Sequence, residues 1–150
     1  MIKLGKLTDY AIAVMGQLAH EGMESSHSAH HISGKTSIPE PTVAKILKLL
    51  SGANLVASAR GAAGGYKLVK PAAQISIGEI ITAMEGPITI VACVEGQAES
   101  CEMFGTCPTK NNWHRVNEAI KSALDGVKLT EMMTAPTPNY LVKDIHVSRT

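Results

Sequence analysis

The sequence predicts a mainly α-helical protein in which a single β-hairpin follows the first three helices. Apolar residues recur at helical spacing in several segments, and two short extended runs flank a glycine-rich turn, GAAGG. The length of 150 residues allows one hydrophobic core but not two full domains. Because aromatic residues make up only 3% of the chain, this core must be built from aliphatic side chains.

The first two helices follow from capping residues and spacing. Thr8 is the expected N-cap of a helix over residues 9–22, and Gly22 supplies its stop. A short second helix is expected over Ala29–Lys35. The apolar residues that define the buried face of the first helix are Ala11, Val14, Met15 and Leu18.

The third helix is the most informative. The segment TSIPEPT opens it, since Pro39 and Pro41 are tolerated only near a helix start. It runs to about Leu50 and ends at Ser51–Gly52. Its apolar face comprises Val43, Ile46, Leu47 and Leu50, and its opposite face carries Thr42, Lys45 and Lys48. A short helix, a turn and a helix with a cationic outer face form the helix-turn-helix pattern, whose second helix enters the DNA major groove. Any amphipathic helix with solvated lysines is the alternative.

A predicted β-hairpin follows directly. Leu55–Arg60 and Tyr66–Val69 are the expected strands, and the glycines of GAAGG allow a tight tip between them. A helix-turn-helix followed by a hairpin is the winged-helix arrangement. Arg60 lies at the base of this wing, where it can reach phosphates or a minor groove. A phosphate-binding loop is disfavoured because GAAGG lacks the GxGxxG and GxxxxGKS patterns and a following helix.

Charge and composition limit the classes of function. Residues 1–70 carry eight Lys and Arg against four Asp and Glu, whereas residues 71–150 carry six against nine. The N-terminal half is therefore the candidate to meet a polyanion, although a chance distribution of surface charge is equally compatible. No membrane-spanning run or signal peptide is recognisable, so we expect no membrane association and a cytoplasmic location. No nucleophile–base pair or cofactor fingerprint indicates an enzyme.

Beyond the wing, the chain is expected to continue in helices. Ser76 caps a helix over Ile77–Glu85, a longer helix runs from Pro108 to about Asp125, and a short one begins at Thr130. The apolar stripe of the longer helix consists of Trp113, Val116, Ile120 and Leu124. A compact winged helix cannot bury this whole stripe, which favours pairing with a second copy in a homodimer. Packing within one chain is the alternative.

Three cysteines form the candidate metal site. Cys93, Cys101 and Cys107 lie within fifteen residues, on the loop CVEGQAESCEMFGTC. An odd number of cysteines argues against a disulfide framework, and thiolates on a short loop can converge on one soft metal centre. Thiolates bind both iron–sulfur clusters and zinc, but structural zinc sites usually show CxxC-type pairs, whereas the gaps here are seven and five residues. The segment HSAHH is expected to hold solvated loop histidines rather than a metal cluster.

These segments together resemble a known family. Four segments occur in the order seen in the Rrf-type winged-helix regulators, which include IscR and NsrR. These segments are KLTDYAIAVMGQLA, IPEPTVAKILKLL, LVASARGAAGGYKLVKPAAQISIGEIITAMEG and the three-cysteine loop. The resemblance covers residues 1–133. Within the family, the chain looks most similar to regulators of SUF iron–sulfur assembly operons. The segments that carry this similarity are PEPTVAKILKLL, EGPI, and the CP and NNW motifs around the end of the cysteine loop.

The resemblance implies a homodimer that binds double-stranded operator DNA and senses a two-iron or four-iron cluster, as a repressor of iron–sulfur assembly genes. It implies Cys93, Cys101 and Cys107 as cluster ligands. IscR-like members place a histidine where this chain has Lys110, whereas the NsrR-like ligand, a carboxylate from the partner's first helix, corresponds to Asp9. Glu95, Glu99, Glu102 and His114 are weaker candidates for this fourth ligand.

The DNA-contacting residues implied by the resemblance are Thr42, Lys45, Lys48 and Arg60. We therefore divide the chain into a winged helix-turn-helix domain (1–86), a cysteine loop (87–107), a dimerisation helix with a short terminal helix (108–134) and a flexible tail (135–150). The alternatives are a regulator of the same family that senses nitric oxide or redox state, and a winged-helix protein with a structural zinc site.

Overall fold

The computed structural model describes residues 3–94, 101–103, 105–109 and 112–134. The described part is mainly helical with one two-stranded antiparallel hairpin, which confirms the predicted winged-helix class. The predicted flexible tail, residues 135–150, lies outside the described residues. The elements are α1 (Lys6–Glu21), α2 (Ala29–Thr36), α3 (Glu40–Gly52), β1 (Val56–Ala59), β2 (Gly65–Leu68), α4 (Ile77–Glu85), α5 (Asn112–Gly126) and α6 (Leu129–Met133).

The core lies where α1, α3 and α4 pack together. Five side chains at this contact are at most 1% exposed, namely Met15, Leu18, Ile46, Leu47 and Ile80. The largest fully buried side chains of the described residues are all aliphatic, as the low aromatic content requires. Burying an aliphatic side chain of this size contributes about 1.5–3 kcal/mol, so the three helices are held mainly by this contact.

The start of α1 differs from the expectation. The helix begins at Lys6 with Gly5 at the N-cap position, and Thr8 lies buried in the first turn instead of capping it. Both the Gly5 amide, at 2.8 Å, and the Thr8 hydroxyl donate hydrogen bonds to Oε1 of Glu85, the last residue of α4. A carboxylate stabilises the free N–H groups of a helix start, so Glu85 takes over the role predicted for Thr8. The hydrogen bonds from Thr8 and Gly5 lower the pKa of Glu85 below its ordinary 4.5.

Helices α2 and α3 form the helix-turn-helix. Ser28 caps α2 by accepting a hydrogen bond from the His31 amide at 3.1 Å. The turn between the helices contains Ser37 in the left-handed conformation, with φ 59°, and α3 then begins with Pro41 in its first turn. The predicted apolar face of α3 is fully buried, namely Val43, Ile46, Leu47 and Leu50.

The wing is the β1–β2 hairpin, in which Val56 pairs with Leu68 and Ala59 with Gly65. It is held against the helical body by His27, whose amide and carbonyl both bond to the backbone of Tyr66, at 2.9 and 2.8 Å. A Cβ atom at Gly65 would lie 2.6 Å from the His27 carbonyl, so this approach of wing and body requires glycine.

The C-terminal helices fold back onto α4 and α1. Leu129, at the start of α6, is fully buried, and its amide bonds to the Ile75 carbonyl at 2.9 Å. The expected helix start at Pro108 was wrong, because Pro108 lies in a turn before α5. The short final helix is confirmed and begins at Leu129, one residue before the expected Thr130. Within the described residues, no helix has the length and hydropathy to cross a membrane.

The cap of α4 agrees with the sequence and is testable. Ser76 accepts a hydrogen bond from the Glu79 amide at 3.0 Å, and the Glu79 carboxylate accepts one from the Ser76 amide at 2.8 Å. We expect Ser76→Ala to lower the free energy of unfolding by about 1 kcal/mol. Ser122→Ala, at an exposed site on α5, is the control and should stay within about 0.5 kcal/mol. Urea denaturation at one protein concentration measures both, and equal stabilities would contradict the assignment.

Candidate DNA interface and cysteine site

The outer face of α3 presents cationic and polar side chains to solvent. Lys45 and Lys48 are exposed and Thr42 is partly exposed. These side chains point to solvent because the opposite face of α3 is fully buried against the core, which fixes the rotation of the helix about its axis. The structure therefore brings the three predicted residues onto one accessible edge of the helix that follows the turn.

The wing adds a second cationic element. Arg60 is exposed and follows β1 directly, so it lies at the start of the glycine-rich tip and not at the base of the wing, the position predicted from the sequence. Lys67, on β2, is also exposed and was missed by the sequence reasoning. Strand alternation carries the signal, because Leu68 faces the core at 2% exposure and its neighbour must then point outward.

The cysteines lie in two separate pieces of the described chain. Cys93 sits in a short turn of 3-10 helix, Ala92–Val94, and Cys101 and Cys107 lie beyond residues 95–100, which are outside the described residues. All three are partly buried thiols. Within the described part, their sulfur atoms do not all come within 4.8 Å of one another. Three thiols on one loop nevertheless form a donor set that suits iron–sulfur or zinc chemistry.

Asp9 is exposed in the first turn of α1. An aspartate in the first turn of a helix can stabilise the free N–H groups there without binding any metal. In the structure Glu85 performs that capping, and no described residue donates a hydrogen bond to the side chain of Asp9. The Asp9 carboxylate is therefore accessible to a metal centre that lies outside its own chain. Of the weaker candidates for the fourth ligand, Glu102 and His114 are exposed, whereas Glu95 and Glu99 lie outside the described residues, as does Lys110.

Asn117 is the residue that positions the start of the cysteine loop, and sequence reasoning missed it. It is buried on α5 at 4% exposure. Its Oδ1 accepts a hydrogen bond from the Ile90 amide at 3.2 Å, and its Nδ2 donates one to the Ile88 carbonyl at 3.0 Å. These bonds fasten the segment that leads from α4 to Cys93. The signal in the sequence was a polar residue at helical spacing from the apolar residues Trp113, Ile120 and Leu124.

A helix-turn-helix, a hairpin wing and a cationic edge on the second helix define a winged-helix DNA-binding protein. The model of the Rrf2 family, described as an iron-dependent transcriptional regulator, matches residues 4–135. The chain belongs to this family. It is accordingly a transcriptional regulator and not an enzyme, as the sequence predicted.

Two curated relatives illustrate the range of the family. The regulator IscR of Aliivibrio salmonicida is 31% identical over 132 residues, which cover 88% of this chain and 77% of that protein. The regulator CymR of Bacillus subtilis is 30% identical over 132 residues, which cover 87% of this chain and 89% of that protein. Both are named HTH-type transcriptional regulators.

Solved structures agree with this assignment. The structure of CymR, the global cysteine regulator of B. subtilis, superposes with a TM-score of 0.68 at 31% identity, covering 89% of this chain and 97% of that one. IscR of T. potens superposes with a TM-score of 0.63 at 26% identity, covering 91% of this chain and 94% of that one.

The role of Asn117 can be tested by substitution. Asn117→Leu leaves the Ile90 amide and the Ile88 carbonyl without partners, so we expect the free energy of unfolding to fall by about 1–3 kcal/mol. Asn117→Asp keeps an acceptor for the Ile90 amide but places a carboxylate oxygen against the Ile88 carbonyl, so it should also lower the free energy of unfolding. Glu118→Leu introduces the same side chain at the next, exposed position and should change stability by about 0.5 kcal/mol at most. Urea denaturation that found the two leucine variants equally stable would contradict this role.

Proposed function

We propose that this chain is a cytoplasmic DNA-binding repressor of iron–sulfur cluster assembly genes, which works as a homodimer and responds to an iron–sulfur cluster. One observation carries the proposal. Three thiols lie on a loop whose start is hydrogen-bonded to α5 through Asn117, beside a winged helix with an exposed cationic edge. Membership of a family described as iron-dependent supports the same function.

DNA recognition is assigned to the exposed edge of α3 and to the wing. With α3 in the major groove, the ammonium groups of Lys45 and Lys48 reach phosphates, and Thr42 offers a hydroxyl to base edges. Arg60, at the tip of the wing, reaches the adjacent backbone or minor groove. A guanidinium group suits either target because it donates bidentate hydrogen bonds.

The homodimer is supported by the apolar stripe of α5. Trp113 and Val116 are 37% and 43% exposed, although both belong to the predicted apolar face. Ile120 and Leu124, further along the same stripe, are partly buried and line a groove of about 590 Å3 against the segment after α4. A second copy of α5 would cover the exposed end of the stripe, and a dimer would present two recognition helices to half-sites about one helical turn apart.

The cluster ligands are assigned to Cys93, Cys101, Cys107 and the partner subunit's Asp9. The thiolates would hold the iron ions, and an iron–sulfur cluster supplies redox-active iron–thiolate bonds when it is bound. Asp9 lies on α1, and α1 packs directly against α3. An Asp9 carboxylate bound at the other chain's cysteine loop would therefore restrain how the two recognition helices are placed, and its release would change the half-site spacing.

A second candidate is regulation by cysteine or cellular redox state without a cluster. The observation that favours it is the likeness to CymR, which matches this chain in sequence and in structure as well as IscR does. The two candidates differ in one property that is easily measured. A protein with a bound cluster absorbs visible light, whereas thiols or a thiol–zinc site do not.

The DNA assignment predicts a specific salt dependence. Lys45→Ala and Lys48→Ala should each weaken binding to a duplex about three helical turns long. Each should also reduce the slope of log affinity against log salt by about 0.9, since one phosphate contact is lost. Fluorescence anisotropy at several salt concentrations measures both effects. Lys121→Ala, an exposed lysine on α5, should leave the slope unchanged, and unchanged slopes in the α3 variants would contradict the assignment.

The cluster assignment predicts that anaerobic wild-type protein, reconstituted with ferrous iron and sulfide, is brown and absorbs visible light. Cys107→Ser should lose this absorption because one thiolate ligand is removed. Asp9→Ala should load the cluster but lose it faster to a chelator, with an unchanged apo fold. Glu24→Ala removes an exposed carboxylate outside the site and should behave as wild type. A colourless wild-type protein would favour the cysteine or redox candidate. If the spectrum and DNA response of Asp9→Ala are unchanged, Asp9 is not a ligand.

A further inference from the structure

A second cluster of metal-ligating side chains lies at the opposite end of α1 from Asp9. Glu21, His27 and His31 each offer one ligand atom, and these atoms all lie within 4.8 Å of one another. Oε1 of Glu21 is 2.9 Å from Nε2 of His31, and the rings of His27 and His31 stack with centroids 5.0 Å apart. The sequence predicted solvated loop histidines, but these two are only partly exposed.

Three separate elements bring these residues together. Glu21 is the last residue of α1, and Gly22, with φ 88°, turns the chain away from the helix. The Ser28 cap starts α2 and places His31 in its first turn. The backbone of His27 is bonded on both sides to Tyr66 of the wing. The donor atoms are therefore positioned by rigid backbone rather than by a free loop.

The donor set suits a divalent transition metal. Two imidazoles and one carboxylate form a common three-residue ligand set for Zn²⁺, with a fourth position left for water. Tetrahedral ligands about 2.1 Å from zinc lie about 3.4 Å apart. Here the Glu21 and His31 donor atoms are 2.9 Å apart, and all three donor atoms lie within 4.8 Å of one another. Small rotations of the side chains would therefore complete the site.

Access and ring orientation also fit a metal site. The side chains of His31 and Glu21 retain 39% and 20% exposure, which leaves room for an ion and a bound water. Oγ of Ser25 lies 3.0 Å from Nε2 of His27. A hydrogen bond at one ring nitrogen is the usual means of orienting an imidazole whose other nitrogen binds metal.

We propose that Glu21, His27 and His31 form a binding site for a divalent transition metal, best matched to Zn²⁺ and separate from the cysteine loop. An ion at this site links the end of α1, the start of α2 and, through the His27 backbone, the wing. It would thereby hold the wing against the helix-turn-helix. The site depends on neither the iron–sulfur cluster nor its ligands.

The test uses the full chain with Cys93, Cys101 and Cys107 replaced by serine, so that no thiol competes for the ion. Titration calorimetry with Zn²⁺ should show one ion per chain, and Zn²⁺ should raise the melting temperature, because an ion that binds only the folded state stabilises it. His31→Ala should lower the affinity at least tenfold. Glu21→Gln, which keeps the shape of the side chain but removes its charge, should also weaken binding.

His30→Ala is the matched control in the same segment. His30 is 86% exposed and pairs with Glu40 at 2.9 Å, away from the proposed ligands, so its loss should leave Zn²⁺ affinity unchanged. Circular dichroism checks that each variant is folded, and His31→Gln replaces His31→Ala if the alanine variant unfolds. Co²⁺ should give the visible absorption of a four-coordinate nitrogen–oxygen site in the parent protein. Absence of Zn²⁺ binding, or equal affinity in His31→Ala and His30→Ala, would overturn the proposal.

Discussion

The burial of one face of α3 is the constraint on which the candidate DNA-binding surface depends. Val43, Ile46, Leu47 and Leu50 are fully buried against the helical core. Four buried side chains at helical spacing leave the helix no freedom to rotate about its axis, because any rotation would expose apolar surface. The cationic edge of α3 faces solvent as a direct consequence. The same core also carries α1 and α4, so the candidate cluster ligand Asp9 and the start of the cysteine loop are held relative to α3.

Polar contacts join α4 to α1 and the start of the cysteine loop to α5. Glu85, at the end of α4, bonds to the start of α1 through Gly5 and Thr8. Asn117 bonds to the segment immediately before Cys93. The loop therefore begins from a fixed point near the helix that carries Asp9. Because the pKa of Glu85 is lowered, its contribution to stability is present at neutral pH and lost as the pH falls through the acidic range.

Local patterns in the sequence predicted the elements whose structure is determined locally. The face and end of α3 and the Ser76 cap of α4 follow from spacing and short-range capping, and all three were confirmed. Thr8 was assigned wrongly because its partner, Glu85, lies 77 residues away in sequence. The anchoring role of Asn117 depends on contacts with residues 27 and 29 positions earlier, which no local pattern reveals. The grouping of Glu21, His27 and His31 likewise appears only once α1, α2 and the wing are packed together.

Coupling between the cysteine loop and the recognition helices is the central claim, and DNA affinity with and without the cluster tests it most directly. A duplex enriched from a random pool by the anaerobic protein serves as the operator. Its affinity is then compared for cluster-loaded and cluster-free protein at one salt concentration, since salt alone changes affinity strongly. The account predicts at least a tenfold difference between the two forms, and this difference should shrink in Asp9→Ala. Identical affinities for loaded and empty wild-type protein would contradict the account.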